Sequence, residues 1–441
     1  MRNDKTTIDK TTICVIGLGY VGLPLAVEFA KAGFEVSGYD INSKRVNELM
    51  GQNIDSNGEV SQEDLNKNYI YYTDFEEDIP IGNDFYIVTV PTPVDEDMTP
   101  NYQPLKSASF TVGKLIRDGS TVIYESTVNP GVTRNLCVPI LEFISGLKMN
   151  DDFGVGYSPE RMNPGDKLHN VSNIVKVTSG SSAGTAHHVD SLYRKIVKAG
   201  THLAESIEIA EASKIVENTQ RDFNIAFMNE MAMLFSDMDI DIYDVLNAAN
   251  TKWNFLDFKP GLVGGHCISV DPYYLLTHSK TIGDGTSLSA IAEARNTNEY
   301  RYVEYIVRNI STVTWEKTKN RKELTKILIL GFAFKENCSD FRNTKIANVA
   351  NKLMAKGHQV DIFDPLVDID EALRRYSSLN FIDEINEDDT HQYDAIVLAV
   401  PHTALTLDAQ FEITRLCKDS DKPLIFDLKG AMPRSEHIYR I

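Results

Sequence analysis

The chain has 441 residues, 42% of them hydrophobic and 24% charged, the balance of a folded globular protein too long for one compact core. A formal net charge of −19 excludes a general nucleic-acid binder, because attraction to a polyphosphate backbone needs a basic face. No run approaches the ~20 consecutive apolar residues needed to span a bilayer, and the polar segment Met1–Thr12 lacks the apolar core of a secretion signal.

Four short apolar runs come first: Thr12–Gly17, Glu35–Asp40, Phe85–Pro91 and Thr121–Ser126. Bounded by Gly, Pro or Asp and separated by helix-length segments, they read as buried parallel strands. Val21–Ala32 is the first crossover helix: its apolar residues have helical spacing, Pro24 sits in the first turn, and Gly33 is a suitable stop. Between strand and helix lies Gly17-Leu18-Gly19-Tyr20-Val21-Gly22, a G-x-G-x-x-G motif. There Gly17 allows the tight turn and Gly19 lets the backbone approach a pyrophosphate. Gly22 lets helix and strand pack closely, with the helix N-terminus facing the phosphates. Asp40 ends the next strand about twenty residues on, where an acid binds the ribose hydroxyls of NAD and repels the extra phosphate of NADP. A turn-forming acid at a strand end is the alternative reading of the same residue.

Ser206–Asp237 is about thirty residues without Gly or Pro, with apolar residues on a helical period. At ~1.5 Å per residue this helix reaches about 45 Å, more than one small domain needs, and it offers a surface for self-association. Lys214, Asn218 and Arg221 share one of its faces. As functional groups, Lys214 and Asn218 would stabilise an oxyanion; as ordinary polar residues, they would form the solvated face.

Pro260–Pro272 reads PGLVGGHCISVDP. Gly261, Gly264 and Gly265 before Cys267 predict a bent, close-approach loop that presents the thiol, and Asp271 follows four residues later. The five cysteines (Cys14, Cys137, Cys267, Cys338, Cys417) have no CxxC spacing, so neither a metal site nor a disulfide framework is expected and a reducing cytoplasm fits. A thiol has a use beside an NAD fold. A hydride acceptor alone takes an alcohol to an aldehyde; a thiolate added to that aldehyde gives a thiohemiacetal, which loses a second hydride to become a hydrolysable thioester.

The C-terminal third repeats the strand plan: Lys326–Gly331, Gln359–Asp364, Ala395–Pro401 and Leu424–Lys429. Buried strands resemble one another by chance, but four runs in matching order argue for a second doubly wound α/β domain. Its first turn, Gly331-Phe332-Ala333-Phe334-Lys335, has only the first glycine of the fingerprint. It is expected to hold something other than a dinucleotide, with Lys335 placed to reach a phosphate. The charged stretch Thr318–Glu323 marks the boundary before it.

These residues together resemble the UDP-glucose/GDP-mannose dehydrogenase family. The likeness runs from GLGYVGLPLA at Gly17 through ESTVNPG at Glu125, SPERMNPG at Ser158, KIVENTQRDFNIAFMNE at Lys214 and GLVGGHC at Gly261 to GFAFKENCSDFR at Gly331. It implies two doubly wound Rossmann-like domains joined by a central helical domain with one long helix. The divisions are an NAD domain at 1–203, a dimerisation and catalytic domain at 204–318, and a UDP-sugar domain at 319–441. A homodimer or higher homo-oligomer through the central helix is implied, as are two NAD per turnover. Carried over, Cys267 is the nucleophile, Lys214, Asn218 and Asp271 organise the water and oxyanion, and Thr127 and Glu160 assist. Beyond the motif glycines, the cofactor positions are Tyr20, Val21, Asp40, Arg45, Thr92, Thr127 and Arg342. The sugar-nucleotide positions are Arg161, Met162, Lys214, Asn218, Arg221, Gly261, Phe334 and Lys335.

Two departures bear on the sugar. UDP-glucose dehydrogenases usually carry an acid four residues beyond the position of Glu160, where this chain has Pro164, and Pro-Lys-Asp where it has Ser269-Val270-Asp271. The pattern looks instead like the branch acting on UDP-N-acetylhexosamines, with UDP-N-acetylglucosamine or UDP-N-acetylgalactosamine first, serving capsule or O-antigen synthesis. UDP-N-acetylmannosamine and UDP-glucose are the alternatives. Two other classes fit parts of the pattern. A non-catalytic dinucleotide-binding scaffold would not need Cys267, Lys214 and Asp271. A one-step hydroxyacid dehydrogenase would make one NADH per substrate and be indifferent to Cys267→Ser.

Overall fold

A computed structural model describes residues 11–67, 69–95, 97–162, 169–265, 267–280, 287–319, 324–386, 390–406 and 413–441. The chain divides into two compact units, Met1–Glu217 with Tyr273–Thr281, and Asn218–Pro272 with Ile282–Ile441. The division falls inside the long helix, which spans Ile207–Ser236.

The first unit is built on eight strands: β1 (Thr12–Ile16), β2 (Glu35–Tyr39), β3 (Tyr71–Thr73), β4 (Phe85–Val88), β5 (Thr121–Tyr124), β6 (Gly154–Tyr157), β7 (Lys176–Gly180) and β8 (Thr201–Leu203). Their order is β3-β2-β1-β4-β5-β6-β7-β8, parallel except for the β6–β7 pair. Side chains alternate across a strand, so β1 serves two cores at once. Ile13 and Val15 pack with Leu23, Val27 and Phe29 of the helix Gly22–Lys31. Cys14 and Ile16 pack on the other face, with residues of the helices Gln103–Leu115 and Val138–Ser145. Register then fixes the ligand-facing edge. Ile16 lies opposite both Tyr39 and Val88, so the segments after β1, β2 and β4 emerge together where the strand order reverses, the usual binding crevice of such sheets.

The second unit carries six parallel strands, β9 (Lys326–Leu330), β10 (Gln359–Phe363), β11 (Asn380–Phe381), β12 (Ala395–Leu398), β13 (Ile425–Asp427) and β14 (Ile438–Arg440), in the order β11-β10-β9-β12-β13-β14. This repeats the order of the first six strands of the other sheet. Ile327 and Ile329 face one core, Leu328 and Leu330 the other. Helices Ile242–Ala249 and Tyr302–Thr318 supply much of the first core. Among the described residues, no helix is long and apolar enough to cross a membrane.

The strands exceed the four per half that the sequence predicts. The additional ones are two- or three-residue edge strands (β3, β8, β11, β14), a strand with two glycines (β6) and a polar one (β7). None carries the apolar run that marks a doubly covered strand; they form because a neighbouring strand already offers its hydrogen-bonding edge.

Candidate active site

In the first unit the glycine-rich turn has the geometry its sequence calls for. Gly17 adopts φ +97°, and a Cβ on Gly22 would lie 1.9 Å from the Gly17 carbonyl oxygen. A Cβ on Gly19 would meet nothing within 4 Å, so the backbone there faces open space. The helix Gly22–Lys31 starts at Val21 with no side-chain cap and no acid in its first turn. Its uncapped N–H groups and positive dipole end suit an anion, so this cradle fits the pyrophosphate of NAD.

Asp40 and Arg45 hold the two polar groups of one loop residue. Asp40 Oδ2 accepts from Leu18 N (2.7 Å), and Arg45 Nε donates to Leu18 O (2.9 Å). The buried Arg45 guanidinium also pairs with Asp55 at 2.6 Å. Asp40 Oδ1 accepts from Asn42 N (2.9 Å), so this acid does build a turn; its half-buried carboxylate retains lone pairs for a further donor. Tyr20 and Val21 are half-buried on the same loop. Thr92 Oγ1 donates to the Thr127 carbonyl (2.7 Å), tying those two positions together.

A second group of the first unit surrounds Glu160. Its carboxylate accepts from the amides of Arg161 and Met162, and its carbonyl accepts from Lys214 Nζ. Burial would raise the Glu160 carboxyl, but Lys176 and those amides outweigh it and hold it below the ordinary carboxylate range. Arg161 is engaged by Glu217 at 2.5 Å.

In the second unit Asn218 Nδ2 donates to Asp271 Oδ2 (2.5 Å), and Arg221 approaches Asn218 Oδ1 at 3.4 Å. Lys214, Asn218 and Asp271 are buried while Arg221 is exposed, so the helix face is not a solvated one over its first two polar positions. Cys267 is exposed and the other four cysteines are buried. Burial pushes the thiols of Cys14 and Cys137 up to about 12 and that of Cys417 to about 11, which leaves them inert as nucleophiles.

The loop carrying Cys267 is clamped at its root. Asn229 pairs with both backbone groups of Gly261, accepting from its N at 2.8 Å and donating to its O at 3.1 Å. Asn229 donates in turn to Asn298 (2.8 Å), which donates to Asp222 (2.7 Å). Asp222 pairs with the fully buried Arg295 (2.6 Å), and Arg295 with Glu299 (2.8 Å). Lys345 closes the chain on Glu299. Nearer the thiol, Gly265 has φ +82° and a Cβ there would touch the Phe334 ring at 3.1 Å, so only glycine lets the loop lie this close.

Phe334 and Lys335 line a cavity of about 290 Å³ together with Leu262, Lys345 and Lys429. Burial pulls the Lys429 ammonium below its ordinary value while Glu336 acts to raise it. Lysines converging on one cavity suit a diphosphate. Gly261 adjoins this group, since a Cβ there would come within 2.5 Å of Lys429 Nζ. Arg342 belongs to this second unit, paired with Asp340 at 2.7 Å, whereas the other cofactor positions belong to the first. Pro164, His266 and residues 320–323 lie outside the described residues.

Sequence reasoning missed Lys345, Lys429, Glu336 and the Asn229 clamp. Lys429 had a signal, since it ends the fourth strand-like run of the second half. Lys345 and Asn229 had none, because their partners are distant in sequence.

Family models match three consecutive segments: the NAD-binding domain of the UDP-glucose/GDP-mannose dehydrogenase family over residues 11–197, its central domain over 208–300, and its UDP-binding domain over 328–434. The chain is 47% identical over 436 residues to the UDP-N-acetyl-D-glucosamine 6-dehydrogenase of Salmonella typhi, covering 98% of this chain and 99% of the relative. It is 47% identical over 432 residues to the enzyme of that name from Pseudomonas aeruginosa, covering 97% and 99%. Its fold is similar to the solved UDP-D-ManNAc dehydrogenase of Pyrococcus horikoshii, with a TM-score of 0.83 at 29% identity over 98% of this chain and 99% of that one.

Proposed function

The chain belongs to the UDP-glucose/GDP-mannose dehydrogenase family, and from that membership we propose that it oxidises the C6 hydroxyl of a UDP-N-acetylhexosamine to the uronic acid. UDP-N-acetylglucosamine is the first candidate, since relatives acting on it share 47% of residues over nearly the whole chain, and UDP-N-acetylgalactosamine is the second. The product serves capsule or O-antigen precursor synthesis.

The observation that supports this chemistry most is Cys267: the exposed thiol of the five, on a glycine loop in the unit whose lysine-lined cavity suits a diphosphate. NAD, when bound, supplies the two-electron acceptor for each of the two oxidations. The residues of the chain do the rest. Lys335, with Lys345 and Lys429, holds the diphosphate, and Arg161, Met162, Arg221 and Gly261 complete the sugar-nucleotide contacts. The Cys267 thiolate adds to the aldehyde carbon to form a thiohemiacetal, and after the second oxidation water displaces the thiolate from the thioester. Lys214 and Asn218 donate to the oxyanion, Asp271 orients the water, and Thr127 and Glu160 assist. The domain limits in this reading are 1–203, 204–318 and 319–441.

The long helix supports self-association. Ile209, Val216, Phe223, Phe227 and Leu234 are all exposed on it, and their spacing places them within about 40° of one another around the axis. Such a stripe is an interface in waiting. We place the protein in the cytoplasm, which five cysteines outside any disulfide and an NAD-linked reaction fit.

The test is a panel of UDP-N-acetylglucosamine, UDP-N-acetylgalactosamine, UDP-N-acetylmannosamine and UDP-glucose, each incubated with NAD while NADH absorbance is followed. Two NADH per sugar and the highest kcat/KM on one of the first two are expected. Reduction with none of them would return the protein to the scaffold reading. A higher kcat/KM on UDP-N-acetylmannosamine or UDP-glucose would overturn the order of substrates. Light scattering of Phe223→Glu/Phe227→Glu against the parent tests the interface; identical masses would remove it.

A further inference from the structure

Three ionisable side chains from different elements meet inside the first unit. Glu125 follows β5, Lys176 opens β7, and Glu160 lies in the segment after β6. Lys176 Nζ is 2.7 Å from Glu125 Oε2 and 3.4 Å from Glu160 Oε2. Tyr193, at the end of the helix Ala183–Tyr193, donates its hydroxyl to Glu125 Oε1 and turns its ring face to Lys176 Nζ at 5.3 Å. Lys214, from the long helix, bonds the Glu160 carbonyl rather than its carboxylate. Glu125 and Lys176 are 2% and 5% exposed, so neither charge can be left to water.

Two carboxylates therefore share the Lys176 ammonium, while the charge of Lys214 also acts on Glu160. Burial away from water disfavours the charged form of either acid, and the least costly relief is a proton on one of them. Hydrogen bonding decides which. Glu160 accepts from two backbone amides, groups that favour the charged carboxylate and cannot turn round; besides Lys176, Glu125 has the hydroxyl of Tyr193, which can reverse and accept from a protonated acid. We infer that Glu125 holds a proton in this trio, and that Glu125 and Lys176 are positioning residues for Glu160; this rests on the assisting role given to Glu160 above.

Burial agrees with that assignment, pushing Glu125 up to about 7 against the pull of Lys176, while Glu160 stays below the ordinary range. The consequence is a neutral-pH dependence. With Glu125 protonated, Lys176 serves Glu160 and fixes the turn through Arg161 and Met162, whose carbonyl at Glu160 steadies Lys214. As pH rises, Glu125 ionises and tightens its hold on the ammonium, which already lies nearer to it than to Glu160.

Two measurements on the full-length protein test this. Infrared difference spectra should contain protonated-carboxyl intensity that disappears as pH rises through about 7; the isosteric Glu125→Gln variant should lose the Glu125 share of it and keep that of Glu211, which burial also pushes up to about 7. Absence of the band from the parent, or an undiminished band in the variant, would overturn the assignment. Kinetically, Glu125→Gln should flatten the pH profile of kcat near neutrality. Lys176→Met should lower kcat about 10-fold or more with KM for the UDP sugar little changed. A parental pH profile in Glu125→Gln would remove the positioning role. Should Lys176→Met fail to fold, Tyr193→Phe keeps the question open, since loss of the hydroxyl should move the same band. Full activity of Glu160→Gln would refute the role of Glu160 itself, while the infrared result still decides where the proton sits.

Discussion

Asp40 and Asp364 directly follow the second strand of their respective halves, and each accepts from the backbone of the turn after the first strand. Asp40 takes Leu18 N at 2.7 Å; Asp364 takes Phe332 N at 2.6 Å and Ala333 N at 2.9 Å. The shared part of their work is holding that turn. They differ in what else reaches them. Asp364 is buried and bonded to His402 at 3.0 Å, whereas Asp40 is half-buried at the edge of the glycine turn. Asp40→Asn should therefore do two things at once. It should weaken the turn by the ~1.5–3 kcal/mol typical of a charged hydrogen bond, and it should raise acceptance of NADP relative to NAD. Asp364→Asn should do only the first. Steady-state KM values for both cofactors, beside thermal midpoints, separate the effects; an unchanged NADP-to-NAD ratio in Asp40→Asn would leave Asp40 a turn residue alone. For Cys267→Ser the expectation is a fall in uronate production of at least about 10³-fold, with turnover halted after the aldehyde. Normal uronate formation by that variant would rule out the thioester route.

At the scale of elements, what the sequence reveals depends on whether the signal is local. β1 is legible because alternate residues feed two cores, so the whole run Thr12–Ile16 must be apolar on both faces. The long helix is legible from thirty residues without a breaker, and the observed span Ile207–Ser236 falls one residue inside each expected end. The glycine turn is legible because each glycine answers a separate steric demand. That makes it the element to test. Gly22→Ala would put a Cβ 1.9 Å from the Gly17 carbonyl, so strand and helix must part, at a cost of about 1–3 kcal/mol and with weaker NAD binding. Gly19→Ala points into open space and should leave the thermal midpoint alone while raising the KM for NAD. Equal losses of stability in both variants would show that the open side of Gly19 is not where NAD lies. The edge strands and the charge clusters were not legible for one physical reason. β8 is made by its neighbour, and Lys176 acquires its meaning from Glu160 and from Glu125, the latter fifty-one residues away.

At the scale of the molecule, two sheets share one strand order but have parted in what they can hold. The first kept three glycines and an uncapped helix start. The second has Phe332 and Phe334 in the equivalent turn, the first buried in its core and the second facing a cavity with Lys335 and Lys429. A dinucleotide pyrophosphate needs close backbone approach, which those rings deny; a diphosphate held by lysine side chains does not. The two ligands should therefore stabilise different stretches of the same chain. A ligand at 100 times its Kd contributes about 2.7 kcal/mol to the state that binds it, and that gain is felt where the binding groups must order. Hydrogen exchange read by mass spectrometry should show NAD slowing exchange around residues 17–22 and 40–45, and UDP slowing it around 261–265, 333–336 and 428–430. The sugar half of the substrate is unnecessary for this, so UDP alone is the probe. Protection of the glycine turn by UDP, or of the 333–336 turn by NAD, would mean that the loss of the fingerprint glycines had not divided the two nucleotides between the halves.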